Sequence, residues 1–316
     1  MSDRANKMLV DWSDDHTQAF RKSIISFKHR LNETGLFTDD ALSELIERHP
    51  KHLIDVCTMG QADDPRFPNK FRTGDFRDCS GEDLINAAKA GCVWINLREA
   101  MNVDPAYKSV LDTMYGELAE HTNNETFKAR GGILISSPVA QVPYHFDKTE
   151  TILWHVRGKK RIRIYPCTQK FISDESFEHS LTQALDDDLP YSEGFEASAQ
   201  IYDLEENQAI TWPMNSPHRV DNSAFCVSVT TEYSTRESAL KNSAMIANHF
   251  LRTRLGMSPA YNRSPQYINN TKAVLGLFIR KFLYTSIQKN PDMVTFKIDP
   301  KKSNFMSDIS PFVRNF

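Results

Sequence analysis

At 316 residues, 40% of them hydrophobic and 25% charged, the chain has the composition of an ordinary globular protein able to bury one large core or two modest ones. A formal charge of −3 offers no general attraction to nucleic acid or to an anionic membrane, so neither is expected as a partner. The cysteines Cys57, Cys79, Cys92, Cys167 and Cys226 form no C-x-x-C pair, and no apolar leader or spanning stretch is read, so a disulfide framework and a structural zinc site are not expected and a reducing cytoplasm is.

In chain order, residues 1–130 read as a mainly helical flank. Apolar positions recur at helical period over 15–31 and 39–48, and Pro50 stops the second run. Ser80 and Asp83 have the spacing of a capping box for a helix that Gly91 would close. Residues 92–97 form an apolar run suited to a strand. Asp104 followed by Pro105 suits an N-cap and first helical position, for a helix to about His121.

From residue 131 the pattern changes to short β-like runs at 131–137, 151–157, 160–165, 200–204, 209–212 and 224–233, a density that suits a sandwich or barrel. The acidic segment 174–198 reads as an insertion in a core that spans 131–235. Residues 236–316 read as a helical ending. Ser234 and Glu237 would cap a helix running to Gly256, and a second helix over 271–288 is apolar on much of its circumference through Val274, Leu275, Leu277, Phe278, Ile279, Phe282, Leu283 and Ile287. Such a helix must bury more than one face, either in the core or against a second copy of the chain, so a homodimer through the C-terminal helices is one expectation.

Three short segments carry chemistry. In Tyr144-His145-Phe146-Asp147 the histidine and the carboxylate lie two residues apart, so an extended backbone turns both to one face, where they can share an ion. With ten histidines in the chain this alone is an ordinary coincidence. In 151–165 a turn at Gly158-Lys159 reads as a hairpin that pairs Arg157 with Lys160. Thr151, Leu153 and His155 then share a face with Lys160, Ile162 and Ile164, while Arg161 and Arg163 take the other. Lys160 heads an apolar stripe, an odd place for an ammonium group unless an anion meets it there. The bland alternative is a strand-end lysine reaching back to water. His155 reads first as a satisfied interior histidine, with contact to substrate or co-substrate from its inward face as the alternative. Trp154 and Trp212 read as core or sheet-face aromatics and His179 as exposed, with Tyr144 and Phe146 as candidates to line the cavity.

The third segment, NQAITWPMNSPHRVDN over 207–222, places Asn207, Pro213, Asn215, His218 and Asn222 at the spacing of the second signature of the cupin superfamily, which it resembles. Asn replaces Gly at 207 and 215, the residue next best suited to a positive φ. Together, the segments resemble the Jumonji-C and asparaginyl-hydroxylase branch of the Fe(II)/2-oxoglutarate oxygenases over roughly 131–235. The resemblance implies a double-stranded β-helix (cupin/jelly-roll barrel) core and iron held by His145, Asp147 and His218. It also places Lys160, fifteen residues after His145, on the distal carboxylate of 2-oxoglutarate. Thr151, on the same face as Lys160, is expected to add a hydroxyl contact, although it departs from the asparaginyl hydroxylases, which place an amide-bearing residue there. The implied reaction is hydroxylation or oxidative demethylation of an unidentified substrate, protein side chain or small molecule, with release of succinate and CO2. Two other readings are a cupin metalloprotein that makes no use of 2-oxoglutarate and a non-catalytic binding protein of the same fold. The insertion and the N-terminal helices are expected to frame the entrance.

Overall fold

The computed structural model describes residues 7–58, 72–91, 93–122, 126–182, 189–283 and 292–316. Helix α1 (Asp14–Ala19) ends far short of the helix expected to residue 31, and Arg21 takes a left-handed φ of 65°. The chain then extends into β1 (Ile25–Lys28), where Ile25 and Phe27 alternate inward and a sheet edge supplies the hydrogen-bond partners that helix would otherwise provide. Helix α2 (Asp39–Arg48) starts where Thr38 accepts from the Ala41 N–H and stops before Pro50. Strands β2 (Ile54–Thr58) and β3 (Arg72–Asp75) follow, neither of them expected.

The capping box of Ser80 and Asp83 opens α3 (Gly81–Ala90), followed by β4 (Val93–Leu97) and the short α4 (Ala100–Val103). Cys92 lies outside the described residues. The Asp104 carboxylate accepts from the Ala106 N–H at 3.0 Å at the start of α5 (Pro105–Thr122), as the Asp-Pro pair predicts.

The strand-rich part comprises β5 (Phe127–Ser136), β6 (Gln141–His145), β7 (Glu150–Arg157), β8 (Lys160–Ile164), β9 (Gln200–Leu204), β10 (Gln208–Thr211), β11 (His218–Asn222) and β12 (Cys226–Ser234), with α6 (Asp174–Thr182) in the insertion. Then come α7 (Arg236–Leu255), α8 (Gln266–Phe282), β13 (Met293–Ile298) and β14 (Met306–Val313). The cap of α7 is one residue later than expected: Thr235 and Ser238 form the box. Helix α8 starts after Pro265 and buries Asn269, Ala273, Gly276 and Ile279, while Val274, Leu277, Phe278 and Phe282 are exposed. Ile287 and the rest of the expected helix beyond Leu283 lie outside the described residues. The C-terminal segment is therefore not wholly helical. In β13 the alternation of buried Val294, Phe296 and Ile298 is too short to stand out beside the long apolar helix, and β14 is a mostly exposed strand at the sheet edge that admits Pro311.

Among the described residues the strands form two sheets. One has the order β1-β10-β7-β12-β5-β4-β2-β3-β13-β14, the other β6-β11-β8-β9. They stack on a core of Leu153, Ile162, Ile164, Leu204, Ile210, Trp212 and Val220 but do not close into a barrel. The opposite side of β7, through Ile152, Trp154 and Val156, packs in the larger core with Leu42, Tyr107 and Leu111 of the helical layer. Strand β7 is thus buried on both faces.

The expected hairpin over 151–165 is not a paired ladder. Both edges of β7 are taken, by β10 and β12, so β8 pairs instead with β11 and β9 in the other sheet. Gly158, at φ 93°, carries the chain across. The face assignment survives this change, because Leu153 meets Ile162 and Ile164 across the gap between sheets rather than along one. Among the described residues no helix is long and apolar enough to cross a membrane.

Candidate metal centre

Strand β6 ends at His145 and β11 begins at His218, and the two residues are direct antiparallel partners. Cross-strand partners project to one face, and their ring centroids stand 4.2 Å apart. Asp147 lies just past the end of β6 and turns the same way: its Oδ2 is 3.6 Å from His218 Nε2. Ligand atoms of His145, Asp147 and His218 all lie within 4.8 Å of one another.

The tautomers follow from the hydrogen bonds. His145 Nδ1 is 2.7 Å from the Pro143 carbonyl and His218 Nδ1 is 3.1 Å from the Ser216 carbonyl. A carbonyl only accepts, so each Nδ1 carries a proton, and Nε2 is the atom of each ring left to act as a metal ligand. Burial, with the neighbouring His145, holds His218 down at about 4, so its imidazole is neutral. Trp212 packs on the same ring, 4.5 Å between centroids.

Asp147 Oδ2 is buried and has no hydrogen-bond partner. A carboxylate oxygen and an imidazole lone pair thus face each other with nothing to donate between them. Two acceptors so placed repel unless a cation joins them. Two neutral imidazoles and one carboxylate on one side are the donor set of non-haem Fe(II) sites that keep open positions. The residues present fit such an ion.

Lys160, at the start of β8, is 5% exposed, and its ammonium meets no carboxylate or hydrogen-bond acceptor among the described residues. Burial pushes its pKa below the usual lysine range, with Cys226 as a weak opposing influence. The far end of the same strand, Ile164, pairs with His218. Four residues of strand put the Lys160 backbone about 13 Å along from that level. Thr151, at the start of β7, is also 5% exposed, and its Oγ1 is buried without a partner. Thr151 and Lys160 thus stand on facing strands of the two sheets, one with a hydroxyl and the other with an ammonium that meets no partner among the described residues.

His155 is a satisfied interior residue: its Nε2 donates to the Gly158 carbonyl at 3.0 Å and its Nδ1 lies 3.1 Å from the Ser228 hydroxyl. Burial and then the Lys160 charge hold it at about 3. His179 is exposed, and Trp154 is a core residue whose indole donates to Thr231. Tyr144 and Phe146 point away from the triad into a cluster with Tyr165, Phe171 and Phe177. That cluster takes in Leu189, so part of the insertion covers the outer face of the smaller sheet rather than the gap between sheets. Arg163 and Arg219 on that outer face pair with Glu196 of the insertion and with Asp221.

Asn207 and Asn215 take φ of 66° and 68°, as their glycine-like places in the motif require. A further role of Asn215 was not legible from its place in the turn: its side-chain amide donates to the Asp147 carbonyl at 2.8 Å. The partners are 68 residues apart, and no local pattern signals the contact.

A scan against protein-family models found no match, and a comparison with curated proteins found none. Among solved structures the chain is similar to the Escherichia coli ribosomal oxygenase YcfD in complex with cobalt and 2-oxoglutarate, at 14% identity and a TM-score of 0.49, over 88% of this chain and 69% of that one. It is similar to YcfD with cobalt and succinic acid at 13% identity and the same TM-score and coverage. A Streptococcus pyogenes protein of unknown function, SPY1581, is similar at 10% identity and a TM-score of 0.23, over 34% of this chain and 66% of that one. Likeness at these levels carries no functional weight by itself.

Proposed function

We propose that the chain is an Fe(II)- and 2-oxoglutarate-dependent oxygenase of the Jumonji-C and asparaginyl-hydroxylase type, with a double-stranded β-helix at its centre. The observation that carries this reading is Lys160: a buried, unpartnered ammonium on the strand whose other end pairs with His218. An unpaired buried charge costs stability, and a ligand carboxylate that meets it there offsets the cost. A cupin metalloprotein without 2-oxoglutarate has no use for such a lysine, and a binding protein has none for three converging metal ligands.

In this reading His145 and His218 would hold iron through Nε2 and Asp147 through its carboxylate, the two Nδ1–H bonds fixing the rings for that purpose. Lys160 would bind and orient the far carboxylate of 2-oxoglutarate, and Thr151 would add a hydroxyl contact to the co-substrate. When bound, iron and 2-oxoglutarate supply the oxidising chemistry: with O2, a substrate C–H becomes C–OH while 2-oxoglutarate becomes succinate and CO2. The chain's own work is to keep three ligands on one face, present a positive charge at a set distance, and line the space between with Leu153, Ile162, Ile210 and Val220, which exclude water. The substrate is a protein side chain or a small molecule.

The test is to mix pure protein with Fe(II), ascorbate, 2-oxoglutarate and O2 and to measure succinate. Slow succinate release without added substrate is expected, and Lys160→Ala should abolish it. Release that is indifferent to that substitution would remove the 2-oxoglutarate assignment.

A further inference from the structure

We infer that helix α7 positions the carboxylate ligand, through a tether made of Asn215, Lys241 and Asn242. The inference rests on the proposed metal centre and concerns what holds it together. His145 and His218 are fixed by the ladder they share. Asp147 is not: β6 has ended two residues earlier, and residues 146–149 belong to no strand or helix before β7 resumes at Glu150. Something outside the ladder must fix that backbone if the carboxylate is to hold its place.

Two bonds do so. Asn215, only 1% exposed, donates its side-chain amide to the Asp147 carbonyl at 2.8 Å, and its Oδ1 accepts from the Lys241 ammonium of α7 at 2.8 Å. The adjacent residue of α7, Asn242, donates to the Lys148 carbonyl at 2.7 Å. Neighbouring residues of one helix thus grip neighbouring carbonyls of the ligand loop, one directly and one through Asn215.

Asn215 also stands three residues before His218, in the turn whose Ser216 carbonyl fixes the His218 ring. It therefore ties the segment that carries Asp147 to the segment that carries His218. Glycine would adopt the φ of 68° with less strain, but it has no side chain to reach the Asp147 carbonyl. The asparagine exchanges a small backbone cost for the tether. Lys241, half-buried and 5.5 Å from the Phe177 ring, is held on its other side by α6.

The experiment titrates Co(II) alone into the full chain and into variants, reading affinity and visible absorption, with thermal melting as the check on folding. Asn215→Gly keeps the turn and removes the bonds from Asn215 to the Asp147 carbonyl and to Lys241, leaving that of Asn242; it should lose about tenfold in Co(II) affinity, the lower end of what removing an outer partner of a metal ligand costs. Its Co(II) spectrum should shift toward that of Asp147→Ala. Lys241→Met should move affinity and spectrum the same way, and Lys241→Arg, which keeps a cationic donor, should restore them. Should Asn215→Gly fail to fold, the Lys241 pair gives the same reading. If Asn215→Gly and Lys241→Met bind Co(II) as the parent does while His218→Ala binds weakly, the tether is overturned and the metal centre stands. If parent and His218→Ala bind alike, the metal centre falls and the tether with it.

Discussion

His145 and His218 are cross-strand partners whose rings stand 4.2 Å apart, each with its Nδ1 proton bonded to a carbonyl two residues before it. The Nε2 of His218 lies 3.6 Å from Asp147 Oδ2, and a ligand atom of His145 lies within 4.8 Å of both residues. His218→Ala should weaken Co(II) or Mn(II) binding by more than about 100-fold, beyond the 10–100-fold typical of losing an outer partner. Isothermal titration of the two proteins decides it; equal affinity would remove His218 from the ligand set.

Lys160 gives a prediction about stability that needs no metal. Its pKa is pushed below the free value of 10.5 by burial, so between the lowered value and 10.5 the unfolded chain binds more protons than the folded one. Stability from this group therefore rises with pH across that window, and below it the penalty is fully present. Lys160→Met should melt about 1–3 °C above the parent at neutral pH, with the gain shrinking as pH approaches 10.5. Saturating 2-oxoglutarate should reverse the order by stabilising the parent alone. Melting curves across pH, with and without 2-oxoglutarate, read both effects.

What could be read in the sequence was local. The two-residue offset of His145 and Asp147, the inward face of Lys160, Ile162 and Ile164, and the glycine-like turns at Asn207 and Asn215 each depend on a few consecutive residues, and the structure has them as expected. What could not be read was decided by partners far along the chain. The segment 151–165 has the pattern of a hairpin, but β10 and β12 occupy both edges of β7, which leaves β8 to the second sheet. Helical periodicity over 15–31 gave way to β1 because β10, some 180 residues on, offers it an edge. The contact from Asn215 to the Asp147 carbonyl is of the same kind: the residue type signalled a turn, and only the packing of α7 shows the second use.

Asn207 allows the glycine-like reading to be tested away from the site. Its φ is 66°, its backbone N–H donates to the His155 carbonyl, its own carbonyl accepts from His29, and its Oδ1 is buried without a partner. The side chain makes little contribution, so Asn207→Gly should change unfolding free energy by only a few tenths of a kcal/mol. Asn207→Ala keeps a Cβ and cannot relax in the left-handed region, at a cost of about 1–2 kcal/mol. Urea denaturation separates the two; an alanine variant as stable as the glycine one would show that the conformation is not strained.

Gly158 is the sharper case because two effects add there. At φ 93° it already occupies backbone that suits glycine, and a Cβ built on it would lie 2.2 Å from the Phe225 carbonyl oxygen and 2.9 Å from Cys226 Sγ. Gly35, at φ 73°, has nothing within 4 Å of the same position and so carries the backbone effect alone. Gly35→Ala should cost about 1 kcal/mol and Gly158→Ala at least about 2 kcal/mol more, since the clash is with backbone that cannot step aside. Because Gly158 carries the chain from one sheet to the other two residues before Lys160, its alanine variant should also lose most of the thermal shift given by 2-oxoglutarate, whereas Gly35→Ala should keep it. Equal costs for the two substitutions would mean that the turn yields freely. The crossover would then not be what sets the height of the ammonium above the metal centre.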